Sequence, residues 1–328
     1  ISLGLVGSEM CIRDSGYNVA FISTSGNRPD ALGNRCAAAV IAAGQLDGSN
    51  QAANYVDPFG YTPRNTPLIV AQSGAGNPAE PTHWQPLAFD VAMTQNGLVA
   101  DKVQRFIGSH WGRVSSFALS GARPDGWPQA FDPGAPPLWG GARHAEFREQ
   151  VAQVITYNSQ MTPNNSTLID ISPASLGNND LGSNNGHGRT INPATGQPYA
   201  PQWVKRGDFA RVLAEFWADG PRSETPPGHW NLVAGQASDA FTAPYRIAGQ
   251  GSAVSRLEWD IKLYLSLNTA LHDAAIAAWG IKAHYDTARP ITSIRHMASL
   301  GQCSDPLAPR YHPLGLPLIP GLIELVTS

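Results

Sequence analysis

Charge is scarce in this chain: Asp, Glu, Lys and Arg make up 14% of 328 residues, and 22 basic against 25 acidic side chains leave a formal net charge of -3. That balance gives no basic footprint for nucleic acid or for an anionic membrane surface. Cysteine is nearly absent as well. The three thiols, Cys11, Cys36 and Cys303, cannot define a disulfide framework or a zinc site, and Cys36, set in an alanine-rich run, reads as a small buried apolar residue. No run of about 18 apolar residues marks a membrane-spanning helix. There is no initiator methionine, and residues 1–15, ISLGLVGSEMCIRDS, lack the charged segment and apolar core of a secretory signal. They resemble a translated sequencing adapter of the kind met at the ends of metagenomic reading frames, and are set aside from fold reasoning. The compartment stays open, export included.

What is present is globular. Hydrophobic residues make up 42% of the chain, enough for one large or two ordinary domains, while 33 Gly and 27 Pro predict long irregular connections. A first helix is expected from Asp30 to about Ala43, and a short one from Asp101 to Ile107. Phe147, Val151, Val154 and Ile155 share one face of a helix that starts near Arg143. Phe209, Val212, Leu213, Phe216 and Trp217 repeat that spacing until Asp219-Gly220-Pro221 stops it. Ser223 to Trp230 reads as a rigid connector. The Asn- and Gly-rich stretch from Ser175 to Gln202 contains one acid, Asp180, and lacks calcium-loop spacing. His83, His110 and His229 read as packing or backbone-bonded groups.

The longest helix begins at a capping box, Ser255-Arg-Leu-Glu258, and continues to about Lys282. Apolar residues on nearly every face, among them Leu257, Ile261, Leu265 and Leu271, predict burial all round, with Asn268, His272 and Asp273 in or near the interior as structural groups. Ala274, Ala275, Ala277 and Ala278 leave room for neighbouring helices to approach. Just past this helix stands Lys282-Ala-His-Tyr-Asp-Thr-Ala-Arg289-Pro290. Pro290 biases Arg289 away from helical angles, which puts Lys282 at a helix end and Arg289 in the following turn. Two long cations so placed can grip one tetrahedral or trigonal-bipyramidal oxyanion.

In K-x6-R-P at Lys282, Arg289 and Pro290, and in the segments 216–221, 224–230 and 268–274, the chain resembles the bacterial branch of the vanadium-dependent haloperoxidases, in the superfamily shared with type 2 phosphatidic acid phosphatases. The resemblance implies a mainly α fold, a helical bundle of the haloperoxidase and acid phosphatase type that is incomplete here, with a loop-rich N-terminal region. Residues 16–205 form that region, and residues 206–328 the first part of the vanadate- or phosphate-binding helical domain. It implies orthovanadate as cofactor, with phosphate able to occupy the same site. Halide, hydrogen peroxide and an organic acceptor are the implied small-molecule substrates; the oligomeric state is not implied.

Lys282 and Arg289 are the catalytic and cofactor-binding residues so implied. Trp279, three residues ahead of Lys282, stands where haloperoxidases can carry a pocket tryptophan; His284 and Tyr285 are further candidates for pocket lining. The family's P-S-G-H segment and its later arginine-and-histidine pair do not follow Pro290, so no residue here is expected to ligate the metal directly. Three readings remain: a truncated haloperoxidase inactive as it stands, a phosphatase of the same superfamily with a histidine nucleophile, or a non-catalytic anion-binding protein.

Overall fold

The computed structural model describes residues 16–74, 76–93, 98–119, 132–176, 190–192, 195–214, 226–300 and 312–324. The segment 216–221, Glu224 and Thr225, Asp180, Cys303 and the adapter-like residues 1–15 lie outside them. Six α-helices dominate the described residues: α1 (Pro29–Gly44), α2 (His144–Ser159), α3 (Arg206–Val212), α4 (Pro226–Ala240), α5 (Arg256–Tyr285) and α6 (Pro290–Ala298). The few strands are short. β1 (Leu68–Ile69) pairs in parallel with β2 (Leu87–Ala88), and β3 (Leu168–Asp170) pairs antiparallel with β4 (Trp203–Lys205). The fold is mainly α, as expected.

Three local expectations give way. Asp101–Ile107 is not helical: the Phe89 amide donates to Lys102 O and the Gln104 amide to Leu87 O, both at 2.9 Å, so Val103 bridges Ala88 of β2 in antiparallel fashion instead. A β-branched Val103 beside a free strand edge favours that pairing over one isolated turn. Ser223–Trp230 is not a connector throughout, because Pro226 already opens α4; proline is tolerated in a first helical turn, where its missing N–H has no partner to lose. Cys36 is exposed, not buried. α1 lies on the surface, with Val40 and Ile41 71% and 55% exposed and Ala31 its one buried residue.

α5 also departs from burial on every face. Leu257, Ile261 and Leu265 are 71%, 59% and 62% exposed, whereas Asp273, Ile276 and Gly280 are buried. The first turns carry Arg256–Asp260 and Glu258–Lys262 ion pairs that belong in water. Only the second half packs as a domain centre. Of the predicted interior polar groups, Asp273 is buried and accepts from the Phe117 and Ala118 amides at 2.8 and 2.7 Å. Asn268 is exposed and exchanges amide hydrogen bonds with Asn231 of α4. One apolar core joins α2 to α6 and to the segment 316–323, through Val151, Ala152, Met297, Leu316 and Ile323.

Candidate oxyanion site

The junction between α5 and α6 is held from one side by the segment 82–84. The Trp84 amide donates to Asp286 O at 2.9 Å and the Ala288 amide to Thr82 O at 3.0 Å, a short antiparallel pairing across the turn. That segment is itself pinned by Asn65, buried to 4% exposure, whose carboxamide nitrogen donates to Glu80 O and His83 O. Asp286 ends α5 in the left-handed region at φ 45°, with its amide bonded to Lys282 O. Its side chain accepts from the Tyr61 hydroxyl at 2.7 Å. Burial pushes the Asp286 carboxyl above its usual range, although the Tyr61 hydrogen bond opposes this. Tyr61 is pushed up as well, by burial and by that same carboxylate. Arg289 is the N-cap of α6 with extended angles, φ -74° and ψ 155°, as a residue before proline requires.

The two signature cations thereby face one cleft of about 460 Å³, lined among others by Trp84, Gln104, Arg105, Phe106, Trp279, Lys282 and Arg289. Lys282 is exposed, and its ammonium lies 4.3 Å from the ring centroid of Trp279, one turn earlier on the same helix face. That geometry is a cation–π contact. Arg289 is half-buried and stacks over the Trp84 ring at 5.1 Å. Its Nη1 donates to Gln104 Oε1 at 2.6 Å and its Nη2 to Gln85 O at 2.7 Å. Its Nε is buried without a hydrogen-bond partner among the described residues. Burial lowers the Arg289 pKa, in line with a cation taken from water with no carboxylate beside it.

Trp279 lines the cleft beside Lys282, where the spacing placed it. His284 and Tyr285 are not part of that lining. They pack edge to face on each other, and the Tyr285 hydroxyl donates to Asp132 at 2.8 Å, because the last turn of α5 rotates them off the Lys282 face. Sequence reasoning missed Trp84, Gln85, Gln104 and Arg105, which no local motif marks. Arg105 brings a third positive charge to the rim, partly offset by its exposed ion pair with Asp101 at 2.8 Å. No carboxylate lines the cleft among the described residues. Among the described residues the cleft combines a half-buried guanidinium with no carboxylate partner, an exposed ammonium and aromatic walls, a lining whose charge and donors suit an oxyanion such as vanadate or phosphate.

Two later basic and imidazole groups do not supply the absent histidine motifs. Arg295 donates to the carbonyls of Val70 and Gln72. His296 packs edge to face on Trp139 at 4.6 Å and is held below its usual pKa by burial. Among the described residues no group of His, Cys, Asp or Glu could hold a metal ion, and no helix is long and apolar enough to cross a membrane.

Residues 262–304 match the family model of the VCPO second helical-bundle domain. Over 90% of its length the chain superposes on a solved apo-type bacterial vanadium-dependent chloroperoxidase, with a TM-score of 0.51 and 17% identity. The holo-type structure gives 0.49 and 17% over 91% of the chain. The chain spans about half of the length of these structures, 51% in each case. No curated protein matches it.

Proposed function

From a chain that has the vanadium-haloperoxidase fold and, across residues 262–304, that family's second-bundle domain, we propose that these 328 residues are part of a vanadium-dependent haloperoxidase whose Lys282–Arg289 cleft holds the oxygens of vanadate. The observation that carries the reading is Arg289: a half-buried cation on the same cleft as Lys282 which, among the described residues, has a buried Nε without a partner and no acid beside it. Leaving a guanidinium buried and uncompensated costs stability, a cost that a bound oxyanion offsets. Bound vanadate supplies the peroxide activation by which halide is oxidised. The residues present supply the charge and the walls of that site. Lys282 and Arg289 neutralise negative oxygen, Trp279 walls the pocket beside the ammonium, and Trp84 and Phe106 exclude water behind the guanidinium, which strengthens each charge interaction.

Trp279 at the cleft favours peroxidase over phosphatase chemistry, since haloperoxidases of this superfamily can carry a tryptophan at that offset. The absence of P-S-G-H and of the later arginine-and-histidine pair after Pro290 leads to a further expectation: the 328 residues bind an oxyanion without turning over. The test is a pair of assays, bromide oxidation by hydrogen peroxide with and without vanadate, and phosphomonoester hydrolysis. Both should be silent for this chain, and the first should switch on with vanadate in a chain extended by the two histidine segments. Turnover by the 328 residues would overturn the half-site reading. Hydrolysis blocked by vanadate, with no peroxidase activity in the extended chain, would replace the haloperoxidase with a phosphatase.

A further inference from the structure

Gln104 gives Arg289 a neutral side-chain acceptor where five other described arginines have an acid, while Arg35 and Arg295, like the second contact of Arg289, donate to main-chain carbonyls. Arg28, Arg105, Arg143, Arg211 and Arg256 each pair with a carboxylate. Arg289 is more enclosed than these exposed pairs, so a carboxylate partner would be the ordinary way to compensate it. Its two terminal nitrogens instead meet neutral oxygens, the Gln104 carboxamide at 2.6 Å and the Gln85 carbonyl at 2.7 Å. Both oxygens are fixed by their own surroundings. The Gln104 backbone is tied to β2 through Leu87 O. Gln85 is fully buried, its Nε2 donating to Thr66 O and its Oε1 accepting from Thr292.

A guanidinium has five N–H donors. Two such bonds orient the plane over Trp84 and, among the described residues, leave the Nε–H and the remaining Nη hydrogens unclaimed. A glutamate in place of Gln104 would fit the same space and turn the bond into a stronger ion pair, yet it would cancel the positive charge.

We propose that Gln104 is a positioning residue that orients Arg289 while keeping its charge uncompensated, so that the guanidinium is free for a multiply charged oxyanion. The inference rests on the reading of the cleft as an oxyanion site and adds what makes Arg289 available to it. Stability and binding therefore move in opposite directions when Gln104 becomes acidic, which a purely structural role does not produce.

The experiment is calorimetric titration of the 328-residue chain with inorganic phosphate, alongside Gln104→Glu, Gln104→Leu and Arg289→Ala, with the melting temperature of each. The expected result is that Gln104→Glu melts no lower than the wild type while its phosphate affinity falls by about tenfold or more, as a unit negative charge beside the site should cause. Gln104→Leu, which removes the acceptor and adds no charge, should lie between the two. If Gln104→Glu does not fold, Gln104→Leu decides, and binding equal to wild type overturns the proposal. Unchanged phosphate affinity in Gln104→Glu, with a loss in Arg289→Ala, overturns the role of Gln104 and leaves the oxyanion site standing. No phosphate binding by the wild type, or none lost in Arg289→Ala, removes the oxyanion reading and this proposal with it.

Discussion

Asp286 shows how single residues set the turn between the two signature cations. It ends α5 with a positive φ and ties that end to Tyr61. Because burial raises its folded pKa above the unfolded value, folding favours the protonated acid. The contribution is fully present below the ordinary carboxylate range and is lost as pH rises through the folded pKa. Asp286→Asn keeps an acceptor for Tyr61 and a side chain that tolerates the left-handed region, and it has no proton to lose. Denaturation midpoints of the two proteins should coincide in acid and separate in favour of the asparagine variant as the pH rises toward neutral. A difference that stays constant with pH would show that Asp286 does not titrate in the folded chain as described.

Among the elements, α5 has the division that matters, because its second half must deliver Trp279 and Lys282 to the cleft. The turn ahead of Trp111 presses on it so closely that Gly108, at φ 67°, has no room for a side chain: a Cβ there would lie 2.5 Å from Trp279 Cδ1. Gly108→Ala should therefore combine left-handed strain with displacement of the indole, costing roughly 2–4 kcal/mol by denaturant titration and shifting tryptophan fluorescence. A loss below about 0.5 kcal/mol, the scale of an indifferent surface change, would mean that the contact is not held in solution. At the other end of α5 the capping box is half realised. Ser255 accepts from the Glu258 amide at 3.2 Å, but the Glu258 carboxylate pairs with Lys262 at 2.6 Å instead of reaching back. In an exposed first turn a lysine four residues on competes directly for that carboxylate.

Across the whole molecule, what was legible in the sequence is what is local. The place of Lys282 in the last turn of α5, the extended Arg289 before Pro290 and the Trp279 offset all follow from spacing and backbone sterics within eleven or so residues of one another. The cleft's other wall was not legible. Gln104 and Gln85 reach Arg289 across sequence separations of 185 and 204 residues, and a glutamine in an irregular segment carries no pattern that announces such a partner. The exposed stripe on α5 was misread for a related reason, since apolar content on every face says that a helix can be buried, not which faces its neighbours cover.

The central claim is that Lys282 and Arg289 make one oxyanion site, and vanadium NMR of orthovanadate titrated with this chain tests it most directly. The wild type should broaden or shift the free vanadate signal saturably, and Lys282→Ala and Arg289→Ala should each weaken that binding by about tenfold, the scale of one charge-assisted contact. A vanadate signal indifferent to the wild-type chain, or binding that survives both substitutions unchanged, would contradict it.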